Sequence, residues 1–466
     1  MKFINHCQNT VYLEDIDRHI PFQDSTPQNI DLDDIKKSRS FRQFVLRGRF
    51  EVTEAGNTHI ERTVMKLQKE GEKMAQELAD EPEQVVDKDS PQLEVKLKGH
   101  LFEAGGYAKV NRNLVHGLNA LGVNVKIDPI QGSGNTLNEM EYRVLSALQR
   151  PASRNAIYID SIIPSFSNIS QGKYKILYTT VESKTIPDQF VEVANQYNEI
   201  WVTSNFCGEV LANHGVERPI YVMPDSINTK TYQEEGESYV FRPSLKKFVF
   251  VSVFGWSYRK GYDVLLKAFL KAFNGDDDVS LLLVSRFQNN PKRSDVIQKD
   301  VETHVKKYGG DNPAHIVRCS RIIPEFQMPN LYRACDAFVL FTRGEGYGLP
   351  YAESSLCGLP VIATNFSGHT MFLKSHNSAL LEPDKFVKMQ PGQMHVHYWD
   401  DQEFPALTAD KTIDEAAALM RSVYDNYDDY KVRNKKLQQF LVKNYSIRTV
   451  ATRAKERLEQ IWRTIT

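Results

Sequence analysis

Residues Ala337 to Asn365, AFVLFTRGEGYGLPYAESSLCGLPVIATN, restrict the fold more than any other stretch of this chain. They open on a short apolar run, Ala337-Phe338-Val339-Leu340-Phe341, rich in β-formers. That is the pattern of a strand buried on both faces of a parallel sheet. Glycine then takes every second position through Gly344-Glu345-Gly346-Tyr347-Gly348. Pro350 suits the first turn of a helix, where its missing N–H is not needed. A helix is predicted over Tyr351 to Leu356, ending near Gly358, and Pro360-Val361-Ile362-Ala363 reads as a second buried strand. Strand, glycine-rich turn, helix and strand form one unit of an α/β sheet.

In such a unit the first amides of the helix, with the positive end of its dipole, face whatever binds at the strand ends. The three glycines leave the backbone bare, so a phosphate or a sugar oxygen can approach it. Two carboxylates flank the turn, Glu345 in the loop and Glu353 eight residues later on the helix. Carboxylates accept pairs of hydroxyl hydrogen bonds. One at each end of an extended site fits a ligand with hydroxyls at both ends and negative charge in the middle, as in a nucleotide sugar. The bland alternative is an ordinary strand-to-helix turn with solvated acids.

The spacing Glu345-x7-Glu353 within GEGYGLPYAESSLCGLPVIAT resembles the signature of the retaining family 4 glycosyltransferases of the GT-B fold. The glycines, the proline and the following GLPVIAT agree in order. The resemblance covers about residues 93–466 and is strongest over 246–373. It implies α/β architecture: two Rossmann-like parallel-sheet domains facing each other across a cleft. It also implies that Glu345 contacts the donor sugar and Glu353 the nucleotide ribose. Gly346, Tyr347, Gly348 and Leu349 would line the donor site, and Gly368 and His369 would face it.

At 466 residues the chain is long for one core, so two domains and an extra segment are expected. Its net charge of −1 gives no global field for nucleic acid or anionic lipid. No run of about 18 apolar residues is present, so no membrane span is expected. The start, MKFINHCQNTVYLED, is too polar for a secretory signal. The five cysteines, Cys7, Cys207, Cys319, Cys335 and Cys357, are scattered without a CxxC pair. They read as reduced thiols of a cytoplasmic protein, free or peripheral to a membrane. His395-x-His397 has no third ligand nearby in sequence, and no metal site is assigned.

Residues 1–54 read as a small accessory domain, with short strands at Thr10–Leu13 and Phe41–Val52 around a helical turn near Asp31–Ser38. Residues 55–92 read as a charged helical linker. Ile60, Val64, Leu67, Met74 and Leu78 give it a narrow apolar stripe, which packs on its own chain or on a partner. The family resemblance does not reach residues 1–92.

Strand–helix alternation begins at Leu93, and residues 93–235 read as the first Rossmann-like domain, on the acceptor side. Its first strand leads into Glu103-Ala104-Gly105-Gly106-Tyr107-Ala108 and a helix over Lys109–Leu121. The spacing G-x-G-x-x-G is missing, which disfavours a dinucleotide. By resemblance, Gly105 and Gly106 let the donor phosphate and the acceptor approach this domain. Lys109, Arg112 and His116 form a basic face, solvated or meeting an anionic acceptor. Many relatives carry a histidine where this chain has Glu182. That carboxylate touches the sugar, orients the acceptor or caps the following helix.

The boundary to the donor domain, residues 236–430, is placed in the polar stretch Tyr232–Pro243. Lys247–Phe254 starts the second sheet and runs into Gly255-Trp256-Ser257-Tyr258-Arg259-Lys260-Gly261. Arginine as a fork and lysine as a point charge suit a diphosphate. By resemblance, Lys260-Gly261 matches the family directly, and the arginine role is assigned to Arg259 because Trp256 stands near the usual arginine position. Arg321 and Ile322 lie where the backbone of relatives reads the nucleobase. Long amphipathic helices are expected over Thr412–Tyr424 and Tyr430–Thr466, the last (about 431–466) crossing back to the first domain with Trp462 as an anchor.

These readings converge on an enzyme of the hexosyl- or glycosyltransferase class. It would move a sugar from a UDP- or GDP-linked donor to an acceptor hydroxyl on a glycan, lipid, protein or modified nucleic acid, with retention. Glu345, Lys260, Arg259 and Glu182 are the catalytic candidates. The nucleotide sugar is a substrate, and no separate cofactor is expected. Two other readings stay open: a sugar-nucleotide-binding assembly module that holds a protein partner or itself through residues 1–92, and a same-fold epimerase.

Overall fold

The computed structural model describes residues 2–5, 11–13, 18–20, 23–29, 50–54 and 92–466, except 131–136, 138, 165–168, 242–244, 288–293, 320–322, 392 and 394–396. The predicted turn near residues 31–38, the apolar stripe of 60–78 and Cys7 lie outside the described residues. Strands β1 (Lys2–Asn5), β4 (Gln23–Asn29) and β5 (Phe50–Glu54) form a three-stranded antiparallel sheet. A hairpin joins β2 (Val11–Leu13) to β3 (Arg18–Ile20).

The first large sheet is built from β6 (Glu94–Gly99), β7 (Asn124–Pro129), β8 (Ile157–Ser161), β9 (Tyr174–Thr179), β10 (Glu199–Val202) and β11 (Ile220–Val222). All its pairs are parallel, in the order β11-β10-β9-β8-β6-β7. Its helices are α1 (Gly106–Ala120), α2 (Glu139–Leu148), α3 (Asp188–Ala194) and α4 (Asn205–Asn213). The chain order reverses between β6 and β8, and in open α/β sheets ligands bind beyond the carboxyl ends of such strands.

The second sheet joins β12 (Phe248–Gly255), β13 (Val279–Arg286), β14 (His315–Cys319), β15 (Ala337–Leu340), β16 (Val361–Thr364) and β17 (Ala379–Leu381). It too is parallel throughout, in the order β14-β13-β12-β15-β16-β17. Helices α5 (Tyr262–Ala272), α6 (Ser294–Tyr308), α7 (Met328–Arg333) and α8 (Leu349–Leu356) belong to this domain. Its switch point lies between β12 and β15, whose ends carry Arg259-Lys260 and the glycine turn. Strand β15 is apolar and fully enclosed, and β12 is apolar but for Ser252 and buried over most of its length, which explains their apolar runs. The chain therefore has the two-domain, Rossmann-like α/β architecture of the GT-B fold.

A hairpin of β18 (Phe386–Lys388) and β19 (Glu403–Pro405) reaches from the second domain to the first. The Lys184 amide donates to the Glu403 carbonyl at 2.9 Å, and the Glu403 amide donates to Thr185 Oγ1 at 2.9 Å. Helix α9 (Asp410–Asp425) packs on α5, and two helices close the chain, α10 (Tyr427–Tyr445) and α11 (Ile447–Ile465). The single helix expected over 430–466 is broken at Ser446. Its extended backbone ends α10, and its hydroxyl accepts from the Thr449 amide at 3.2 Å to start α11. Helix α11 lies against α1 of the first domain, where Gly117 leaves room for Ala451. Trp462 is partly buried against the core. Trp256, at the place of the family arginine, is a core residue stacked on Phe254 and Tyr262, with its indole N–H donating to Asp300 at 3.0 Å. Among the described residues, no helix is long and apolar enough to cross a membrane.

Candidate active site

After β12 the chain makes one tight turn over Tyr258–Lys260 and leaves it through Gly261, at φ +66°. A Cβ at Gly261 would overlap the Phe341 carbonyl, so glycine is required for the turn to press on the end of β15. The Arg343 amide donates to the Arg259 carbonyl at 2.6 Å, and Thr342 Oγ1 lies 3.2 Å from the same oxygen. Arg343 is fully buried and serves as a peg. Its guanidinium makes paired bonds to Asp263 at 2.8 and 2.9 Å, donates to the Tyr258 and Ala406 carbonyls, and lies 3.7 Å over the Tyr258 ring.

This frame brings four predicted residues together. Lys260 Nζ lies 2.5 Å from Glu345 Oε1, and Arg259 Nη1 lies 3.6 Å from the same oxygen. Thr342 Oγ1 donates to that oxygen at 3.0 Å. Arg259 also donates to the Gly344 carbonyl, and its Nη2 lies 4.0 Å from Glu182 Oε1. Burial alone raises the Glu345 carboxyl, but Lys260, and then Arg259, outweigh it and bring it down to about 2. Burial pulls the Lys260 ammonium below its ordinary value, with Glu345 opposing. Burial works against the Arg259 charge, yet Glu345 and Glu182 hold its pKa above the usual value. Burial raises the Glu182 carboxyl, against the pull of Arg259. Arg259 Nε is buried with no hydrogen-bond partner among the described residues.

Glu182 does not cap the following helix. Pro187 stands at that cap, and no side chain bonds there. Glu182 instead accepts from the Trp399 indole at 3.3 Å, and Trp399 lies 4.6 Å under the Arg259 guanidinium. Trp399 and Tyr398 come from the segment between β18 and β19. No periodicity or motif in HYWDDQEF marks them, and sequence reasoning missed both.

The glycine alternation also meets a packing demand that the sequence did not show. A Cβ at Gly344 would overlap the Glu182 carbonyl, and one at Gly346 would overlap the Thr180 hydroxyl. Thr203 Oγ1 donates to the Gly346 carbonyl at 3.0 Å. The bare backbone of this loop is thus taken up by the first domain. Gly348, at φ +96°, turns the chain into α8, whose start receives no side-chain cap; Pro350 carries no N–H and the Tyr351 amide donates to the Gly348 carbonyl at 3.1 Å, so what α8 offers an anion is chiefly the positive end of its dipole. Leu349 is buried, and the ring of Tyr347 packs between Phe372 and Tyr445. The loop is pinned from behind by Ser367, whose Oγ accepts from the Glu345 amide at 2.9 Å, and by the Gly368 amide, which donates to the Glu345 carbonyl at 2.8 Å. His369 bonds the Thr364 carbonyl through Nε2 at 2.7 Å, and burial lowers its pKa to about 4, leaving a neutral ring.

Glu353 lies in a second cluster. Its Oε1 is 2.5 Å from Lys109 Nζ, which is also 2.7 Å from the Tyr232 hydroxyl and 3.2 Å from Glu325. Arg112 bonds Glu325 at 2.6 Å and lies 3.3 Å from Glu141. Lys109 and Arg112 are therefore not a solvated basic face; both are buried and paired with carboxylates, two of which belong to the second domain. The sequence showed the charges but not their second-domain partners, Glu353 and Glu325, which lie more than 200 residues away. Gly105 and Gly106 stand exposed at the start of α1 with open space around them. Tyr107 beside them has a buried hydroxyl with no hydrogen-bond partner among the described residues. Arg321 and Ile322 lie outside the described residues.

Residues 245–389 match the family described as glycosyl transferases group 1. A mannosylfructose-phosphate synthase of Agrobacterium fabrum is 28% identical over 109 residues, covering 23% of this chain. A D-inositol 3-phosphate glycosyltransferase of Catenulispora acidiphila is 29% identical over 122 residues, covering 26%. The alignments span 23% and 29% of the length of these curated relatives. Sucrose-phosphate synthase from Thermosynechococcus elongatus superposes with a TM-score of 0.57 at 15% identity, covering 80% of this chain and 100% of that one. Anabaena HepE, solved with UDP and glucose, gives 0.54 at 12% identity, covering 79% and 100%. The chain thus resembles the GT-B glycosyltransferases of family 4, and its second domain carries the match to glycosyl transferases group 1.

Proposed function

We propose that this protein transfers a sugar from a nucleoside-diphosphate sugar to an acceptor hydroxyl, with retention at the anomeric carbon. One observation carries the reading: Arg259, Lys260 and Glu345 converge within 3.6 Å at the switch point of the second sheet, beside the uncapped start of α8. Transfer requires stabilising a departing diphosphate and a sugar that becomes cationic. Arg259, Lys260 and the positive end of the α8 dipole supply positive charge to the first. Glu345, held ionised, keeps both cations in place before the donor arrives and sets negative charge near the sugar. Each such preorganised group lowers a barrier by roughly 3–4 kcal/mol. In this reading protein charge does what a divalent cation does elsewhere, and Glu353 takes the ribose hydroxyls. The UDP held by HepE supports a UDP-linked donor, with a GDP-linked one as the other candidate. Glu182, at the first-domain edge of the cluster, faces the acceptor side. The scattered thiols, without a CxxC pair, support a cytoplasmic enzyme.

The test is release of nucleoside diphosphate from a panel of UDP-, GDP-, ADP- and CMP-sugars with mixed acceptors. Glu345→Ala and Lys260→Ala are expected to lose turnover by about 10²–10³-fold while their far-UV spectra stay unchanged. No release from any donor by the unaltered protein, or full turnover in both variants, overturns the proposal.

A further inference from the structure

We propose that Lys109 is a residue of the donor site, holding the carboxylate of Glu353 until the ribose of the donor displaces it. The inference rests on the assignment of Glu353 to the ribose.

Lys109 sits on the first turn of α1, in the first domain, and reaches into the second. Its ammonium is 2.5 Å from Glu353 Oε1, 2.7 Å from the Tyr232 hydroxyl and 3.2 Å from Glu325 Oε1, and it lies 4.4 Å over the Tyr232 ring. Lys109 and Glu353 are only 8% and 5% exposed. A lysine so placed keeps its charge only because carboxylates surround it. Burial opposes that charge, but Glu353 and Glu325 raise the lysine above its ordinary value.

A carboxylate offers about four lone-pair positions and is satisfied by an ammonium or by a pair of hydroxyls. Lys109 and a ribose diol therefore compete for Glu353. The exchange is feasible because Lys109 has a second anion. Glu325 is already within 3.2 Å, half exposed and anchored by Arg112, so the ammonium leaving Glu353 is not stranded. Donor binding and release of this contact between the domains are then one event. Glu325 sets the balance: the more strongly it draws Lys109, the more freely Glu353 takes the ribose.

This makes two predictions of opposite sign. Lys109→Met, which keeps the apolar stem, tightens UDP binding about five- to tenfold. Glu325→Gln, which leaves Lys109 to Glu353 alone, weakens it by at least twofold. Both shifts vanish with 2′,3′-dideoxy-UDP, which has no diol to compete. Isothermal titration with UDP, its dideoxy analogue and the matching GDP and ADP pairs reads all of this. Weaker binding in Lys109→Met, or equal shifts for the diol and dideoxy ligands, overturns the proposal while leaving the transferase reading intact. Failure of every nucleotide to bind the unaltered protein overturns both. Should Lys109→Met not fold, Glu325→Gln alone decides, because its altered side chain is half exposed.

Discussion

Asp225 sits on the crossing from β11 to the second domain, 93% enclosed, and its hydrogen-bond partner among the described residues is the Tyr178 hydroxyl at 3.5 Å. Burial raises its carboxyl to about 8, with Tyr178 pulling weakly the other way. The folded protein therefore keeps the carboxyl protonated at neutral pH, whereas the unfolded chain ionises near the ordinary value. A folded pKa above the unfolded one gives stability that is whole below the unfolded pKa and lost as pH rises through the folded one. Between about pH 4 and 8 the cost of folding this residue grows. It reaches about 4 kcal/mol at pH 7 against 1–2 kcal/mol at pH 5, as an order of magnitude. Asp225→Asn keeps an acceptor for Tyr178 and removes the proton. It should raise the melting temperature clearly at pH 8 and hardly at pH 4.5. An equal shift at both values would show that Asp225 is ionised in the fold. Sequence reasoning reached Arg259, Lys260, Glu345 and Glu353 because a turn motif carries them. Asp225 and Trp399 follow no motif; burial by distant elements gives them their character.

The glycine loop makes the same point one level up. The elements were legible: β12, β15 and β16 are apolar over most of their length, and Pro350 and Gly348 mark the start of α8. What presses on the loop was not, because Thr180, Glu182 and Thr203 lie some 140–170 positions earlier in the chain. The clash at Gly346 is with another domain, and its backbone does not lie in the left-handed region. Gly346→Ala should therefore cost about 1–3 kcal/mol, typical of overpacking, by forcing the loop off the first domain. Thr180→Gly removes the hydroxyl and methyl in the way and should recover part of that loss. Urea unfolding of the two single variants and the double variant checks this. If the alanine costs the same whether residue 180 is threonine or glycine, the strain lies within the loop itself.

At the scale of the whole molecule, the chain ties its first domain shut with its last helix. Glu199 on β10 is fully enclosed, and its charge is met from the far end of the sequence: Arg457 of α11 donates to its carboxylate at 2.5 and 3.2 Å. The Tyr174 hydroxyl and the Trp201 indole fill other positions of the same carboxylate, at 2.9 and 2.7 Å. Lys455 donates to the Leu121 carbonyl at 2.7 Å, closing the end of α1. A sheet whose buried acid is neutralised only after the second domain has been made should not reach full stability alone. Removing one member of a buried pair leaves an uncompensated charge and costs about 3–5 kcal/mol, whereas removing both can be nearly neutral. Arg457→Met should therefore destabilise the protein by about 3 kcal/mol, since the arginine is partly open to water. Adding Glu199→Gln should recover most of it, because the amide oxygen still accepts from Trp201 and the amide NH2 can donate to the Tyr174 hydroxyl, which turns to accept. Chemical denaturation of both singles and the double closes the cycle. A double variant no more stable than Arg457→Met would mean that α11 holds the first domain by apolar packing against α1, and that the ion pair is incidental.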